Sequence, residues 1–355
     1  MSQGVTMGTP TTLPGYEFIS VPLWLITTLH IVTLALHFAA VGFLFGGLVV
    51  LLGGRIEDRW HNATVRQYVT LLPTAMAATI TLGVAPLLFT QLVYHRQIYA
   101  AAIIGAWFWL LILVLAAVAY YLLYGASFMA SASPLAKWLF PAALALLGIS
   151  FIYSSVFSLA ERPDAMKALY AATQSGWGLN PHLGDYLLRW LNMIAGAVAV
   201  GGLSFALLAR NDEAAFRAGR TFFLGGVIGG IGIGVCRVAL LGPELDPFLH
   251  SVAFGASMAG AMLALGALFL FTRQKLPLSA LLLFLSIVSL VSARHAMRVV
   301  RLGETPSPAV TNVQPQWGIF LVFLVCFVLA LGLVAYMVRA YFCQRTNEPA
   351  GSSLQ

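Results

Sequence analysis

Among the seven histidines of this chain, two stand in an unusual place. His30 and His37 lie inside LHIVTLALHFAAVGFLFGG, a run apolar enough to cross a bilayer. An ionisable group at membrane depth is costly, so it marks a candidate site. Seven residues make nearly two helical turns, so the two rings share one face, about 10 Å apart along the axis. His95 and Arg96, Arg237, His250, and then Arg294, His295 and Arg298 fall near the ends of other apolar runs. Imidazoles and guanidiniums gathered at one end of a bundle suit a b-type haem. Imidazole ligates the iron axially, and a guanidinium fork pairs with a propionate. His37 is the leading ligand, with His30, His250 and His295 as alternatives. Arg237, Arg294 and Arg298 are the candidates for a propionate or quinone pocket.

Each residue also has a plainer role open to it. His37 can serve as a hydrogen bond between helices, and His250 and His295 lie near the interface, where a histidine costs little. Arg294, Arg298 and Arg301 can snorkel to the headgroups. His61 and His182 sit in loops and read as solvated.

The elements that must carry these groups follow from composition. Of 355 residues, 60% are hydrophobic and 9% charged, with mean hydropathy +0.89, which makes this an all-α polytopic membrane protein. Apolar runs predict nine transmembrane helices, at Pro22–Gly53, Tyr68–Val93, Ala100–Tyr124, Leu135–Leu159, Tyr186–Leu208, Thr221–Leu241, Phe248–Phe271, Leu276–Ala293 and Trp317–Phe342. The chain divides into a polar lead (1–20), a first four-helix unit (21–160), an interfacial connection (161–183), a second unit (184–303), a proline-bearing extended loop (304–316), a ninth helix (317–343) and a polar tail (344–355).

An internal repeat orders the spans. His37-FAAVGFLFGGL aligns without gaps to Asn192-MIAGAVAVGGL, and both continue to an arginine (Arg55, Arg210) and an acid (Glu57, Asp212). TLGVAP in the second span matches GIGVCR in the sixth. Four spans per unit is an even number, so the two units are parallel repeats rather than inverted ones. Basic residues number eleven in the loops after spans 1, 3, 5, 7 and 9, against seven on the opposite side. The positive-inside rule then puts the N-terminus outside and the C-terminus in the cytoplasm.

Other classes are excluded. The net charge of +7 is spread over loops beside anionic lipid, and no nucleic-acid motif occurs. Three cysteines form no CxxC or CxxCH, so neither a zinc site nor covalent c-type haem is expected. The GxGxxG-like string in GGVIGGIGIGV lies in a membrane span rather than after a strand, so it is no dinucleotide fingerprint. Gly226, Gly230 and Gly234 instead let a neighbour approach closely. The polar first twenty residues lack a basic n-region, so no cleavable signal is expected. All twelve acids fall in the lead, loops, helix ends or tail, which predicts no proton channel within the membrane core.

On the segment His37-FAAVGFLFGG, the helix count and the repeat, the chain resembles subunit I of the cytochrome bd quinol oxidases. The resemblance implies two four-helix units plus one helix, with haems near the outer face and His37 as an axial ligand, followed nine residues on by Gly46. The position of that family's fifth-helix histidine is Asn192 here. The long quinol-binding loop is replaced by GPELDP, and the third span has no acid. The haem shared with helix 5 is therefore expected to be lost or re-ligated, with Met193 and His250 as candidates. A haem centred on His37 survives.

The expected function is a membrane cytochrome b-like electron-transfer subunit of the bacterial inner membrane. It would carry one or more haem b groups and exchange electrons between quinone and an outer-face partner, such as a periplasmic c-type cytochrome. This makes it a candidate quinol oxidoreductase subunit. The alternative is a haem-free integral anchor of a redox complex or a small-molecule permease.

Overall fold

A computed structural model describes residues 21–56, 58–129, 135–302 and 315–347. The polar lead, the loop expected at 304–316 except for its last two residues, and the end of the tail lie outside the described residues. Every described element is a helix, the form in which an apolar run satisfies its own backbone in lipid.

Among the described residues, eight helices are long and apolar enough to cross a membrane. They are α1 (Leu23–Gly53), α2 (Ala63–Val93), α4 (Ala106–Phe128), α5 (Ala136–Ala160), α7 (Leu183–Leu208), α8 (Glu213–Ala239), α10 (Val252–Thr272) and α11 (Leu276–Leu302). Between them lie three short α-helices, α3 (His95–Ile104), α6 (Pro163–Ala172) and α9 (Leu245–Leu249), and one 3-10 turn over Gly242–Glu244. A further helix, α12 (Trp317–Asn347), belongs to a separate compact unit, with a described apolar stretch over Trp317–Ala330. Everything described below lies in the unit formed by residues 26–307.

The second and sixth spans begin earlier than expected, at Ala63 and Glu213, and the seventh begins later, at Val252; two further edges bear on the site. The third span begins at Ala106, because the chain breaks at Gly105 and turns the preceding residues into α3. The eighth span continues past Ala293 to Leu302, so its arginines are helical rather than in a loop.

Glycine decides how α1 meets α7. Gly46 and Gly201 abut so closely that a side chain on either would overlap the other helix's backbone. Beside them, Gly47 packs on the ring of Tyr68 from α2, whereas Gly202 packs on the backbone of α8 at Phe223 and Gly219. A π turn over Gly42–Gly46 interrupts α1. Such a turn loosens the backbone ladder, and the buried Tyr68 hydroxyl donates to Phe43 O at 2.7 Å. Asn62 and Asp212 cap α2 and α8 by accepting from Val65 N and Ala215 N, and Asn62 Nδ2 donates to Asp212 at 2.6 Å.

The α10–α11 pair is stitched by serine. Ser279, Ser286 and Ser289 of α11 donate to Ala267 O, Gly260 O and Ala256 O at 2.7–2.8 Å. These bonds secure α11 on α10 as far as Ser289. The last turns, with Arg294, His295, Arg298 and Arg301, need other partners.

Candidate functional site

Both span-1 histidines face α2, as their spacing predicts. His30 Nδ1 donates to Pro86 O at 3.2 Å, and His37 Nδ1 donates to Thr79 O at 3.0 Å. A carbonyl oxygen can only accept, so each Nδ1 carries the proton and each Nε2 keeps its lone pair. Metal-ligating histidines are oriented by such a bond from their other nitrogen. Gly83 makes room for His37: a Cβ there would fall 2.8 Å from His37 Cε1. Thr90 Oγ1 also donates to Pro86 O, and it lies 3.4 Å from His30 Nδ1.

His30 is buried and faces His295 of α11, with ring centroids 6.1 Å apart and planes tilted by 53°. A metal–imidazole bond is about 2 Å, so both rings are close enough to reach one metal ion. His295 Nδ1 is buried and has no hydrogen-bond partner among the described residues. His37 has no second histidine ring against it among the described residues; its ring neighbour is Phe38.

The arginines flanking His295 converge on a carboxylate. Glu161, just past the end of α5 and 3% exposed, accepts from Arg298 Nε (3.3 Å), Arg301 Nη1 (3.3 Å), Arg189 Nη1 (3.4 Å) and Arg294 Nη2. Burial pushes this carboxyl up. Arg294, Arg189, Arg298 and Arg301 together more than offset that, holding it well below the usual carboxylate range. Arg189 also donates to Ser154 O at 3.0 Å, and Arg298 lies over the Tyr94 ring, 5.5 Å from its centroid. Glu244 extends the network by accepting from Arg301 (2.8 and 3.1 Å) and Arg162 (3.4 Å). Guanidiniums outnumber carboxylates here among the described residues. Arg294 Nη1 is buried with no acceptor among the described residues, a state that costs about 1–3 kcal/mol or more for a charged donor.

Of the sequence candidates, His30, His295, Arg294 and Arg298 therefore meet. Arg237, half-buried in α8, lies within electrostatic reach of Arg189, Arg301, Glu161 and Glu244. His37 sits on the same face of α1, two turns deeper. His250 does not join them: its side chain is 78% exposed, and Nδ1 donates to Asp246 O at 2.9 Å within its own turn. His61 and His182 are exposed, as expected. Met193 and Asn192 lie on α7, where Asn192 Nδ2 donates to Gly230 O at 3.1 Å.

Glu161 was missed by sequence reasoning, which left it at the start of a connection. The available signal was three arginines at i, i+4 and i+7 on one helix face, a stripe that demands an anion opposite.

No protein-family model matches this chain, and no curated protein matches it.

Proposed function

We propose that the chain is a membrane cytochrome b-like electron-transfer subunit, a distant relation of subunit I of the cytochrome bd quinol oxidases. The observation that carries this reading is the His30–His295 pair beside Arg294 and Arg298. The donor set fits haem b: His30 holds a free Nε2 lone pair, and among the described residues His295 Nδ1 is buried and unpaired and Arg294 Nη1 lacks an acceptor, which a propionate would supply. His30 and His295 are the foremost ligand pair. His37, with its own free Nε2, is the second candidate, and His250 drops out because it is exposed.

Haem, when bound, supplies one-electron redox chemistry. The chain's residues would ligate the iron, orient each imidazole through a carbonyl of α2, pair with the propionates and keep water away with the apolar faces of α1, α2 and α11. Quinone and an outer-face redox partner such as a c-type cytochrome complete the reading, in a bacterial inner membrane with the N-terminus outside. Nine spans, as two parallel four-helix repeats plus one, are part of it. The matched positions support the repeat: Gly47 and Gly202 each face the next helix of their unit at Tyr68 and Phe223, the first against a ring and the second against backbone.

The test is a pyridine haemochrome assay with a reduced-minus-oxidised spectrum on detergent-purified protein. A b-type band that His30→Ala and His295→Ala each remove is the expected result. Protein without haem, made with ample haem supply, would sink the reading. It would leave a haem-free anchor or permease in which Arg294 serves another anion.

A further inference from the structure

The last turns of α11 hold two sets of groups that face different ways. Arg294, Arg298 and Arg301 recur at i, i+4 and i+7, and all three reach Glu161. His295 is the next residue after Arg294, turned about 100° around the helix, and it meets His30 instead. The serine bonds to α10 end at Ser289, more than a turn before Arg294. Past that point, Met297 packs near Phe248 and Ala253, a small apolar contact that does not dictate rotation by direction. The arginine hydrogen bonds on this segment run to Glu161 and, from Arg301, to Glu244, and Arg298 also lies over the Tyr94 ring. A rotation of α11 by one residue would break all three bonds to Glu161 and swing His295 away from His30.

We propose that Glu161 fixes the rotation of the end of α11 and thereby places His295 against His30, as a positioning residue for the ligand pair. Its value to the redox site rests on the proposed reading of that pair as haem ligands. The placement itself does not. Glu161 comes from α5 and Arg189 from α7, so the same carboxylate also ties α11 to both. It acts through the arginines and touches neither imidazole.

The experiment separates the two levels. In full-length protein with Cys236, Cys326 and Cys343 changed to serine, His30→Cys and His295→Cys are introduced together, and their linkage is timed with a short bis-methanethiosulfonate, each arm of which forms a disulfide with one thiol and releases methanesulfinate. No haem ligand pair remains, so this arm reads geometry alone. Glu161→Gln is expected to slow linkage by about tenfold or more, as misplaced reacting groups do. Glu161→Asp, which keeps the charge on a shorter arm, should fall between. Equal rates with Glu161 and E161Q would overturn the proposal; should E161Q fail to fold, an undiminished rate in E161D would overturn it as well.

In the second arm, with both histidines present, E161Q is expected to shift or lose the b-type band while E161D retains it. A wild-type protein without that band refutes the haem reading. The linkage rates still decide the role of Glu161.

Discussion

On α1, His37 donates to Thr79 O and rests against Gly83; on α7, Asn192 donates to Gly230 O and its Nδ2 lies 3.4 Å from where a Cβ on Gly234 would fall. The sequence repeat pairs these residues, since TLGVAP and GIGVCR match Gly83 with Gly234. Each side chain spends one donor on the neighbouring helix, at a place that glycine keeps open. Afterwards the imidazole still has a basic lone pair, and the amide does not. Two similar helix pairs thus end with different chemistry, and only the first retains a group that binds iron well.

The largest effect should come from joining the two pairs wrongly. Gly201→Val pushes a side chain into the backbone of α1 at Gly46, and overpacking of that kind costs about 3 kcal/mol or more. Denaturation in detergent should record a large fall in stability. A small change would mean that the helices do not meet at this seam.

His37→Asn turns the first pair into the second. The hydrogen bond to Thr79 O can persist, so stability should hold while any haem ligated by His37 is lost from the spectrum. An unchanged spectrum would reduce His37 to an interhelical bond and erase the difference between the pairs.

Tyr68 and Phe223 sharpen the contrast further. Tyr68→Phe takes from Phe43 O its side-chain donor and leaves it only the backbone N–H of Gly47, a loss of about 1 kcal/mol. Phe223 carries no hydroxyl, and α7 has no π turn to satisfy. Thermal unfolding of Tyr68→Phe that matches wild type would show that the π turn needs no such partner.

The smallest effect lies at the caps. Asp212→Ala removes the acceptor for Ala215 N and for Asn62 and Thr64, and losing an N-cap costs about 1 kcal/mol. Burial pushes the Asp212 carboxyl up, but its hydrogen bonds outweigh that and hold it below the ordinary value. Its contribution is therefore present above the unfolded pKa, near 4, and disappears as pH falls through the lower folded value. Melting curves of wild type and Asp212→Ala should converge in acid, and a gap that stays constant with pH would remove the carboxylate from the cap.

Much of this protein is written locally. Apolar runs of 20 residues or more leave a chain in lipid no alternative to helices, and the spacing of His30 and His37 already put both on one face. Gly226, Gly230 and Gly234 announced a close approach, whereas the arginines at 294, 298 and 301 read as a cofactor pocket or as snorkellers and did not name Glu161. What the helix period could not state was which helix ends would meet. That was decided by non-local packing, which brought His295 to His30, left His250 outside, and set Glu161 among four guanidiniums drawn from α7 and α11. The break at Gly105 and the extension of α11 to Leu302 belong to the same class. Hydropathy reports where apolar residues stop, whereas a helix stops where its backbone bonds lose their partners. Composition and spacing determined the elements and the faces they present; only the tertiary structure chose the pairings, because those contacts join residues far apart in the chain.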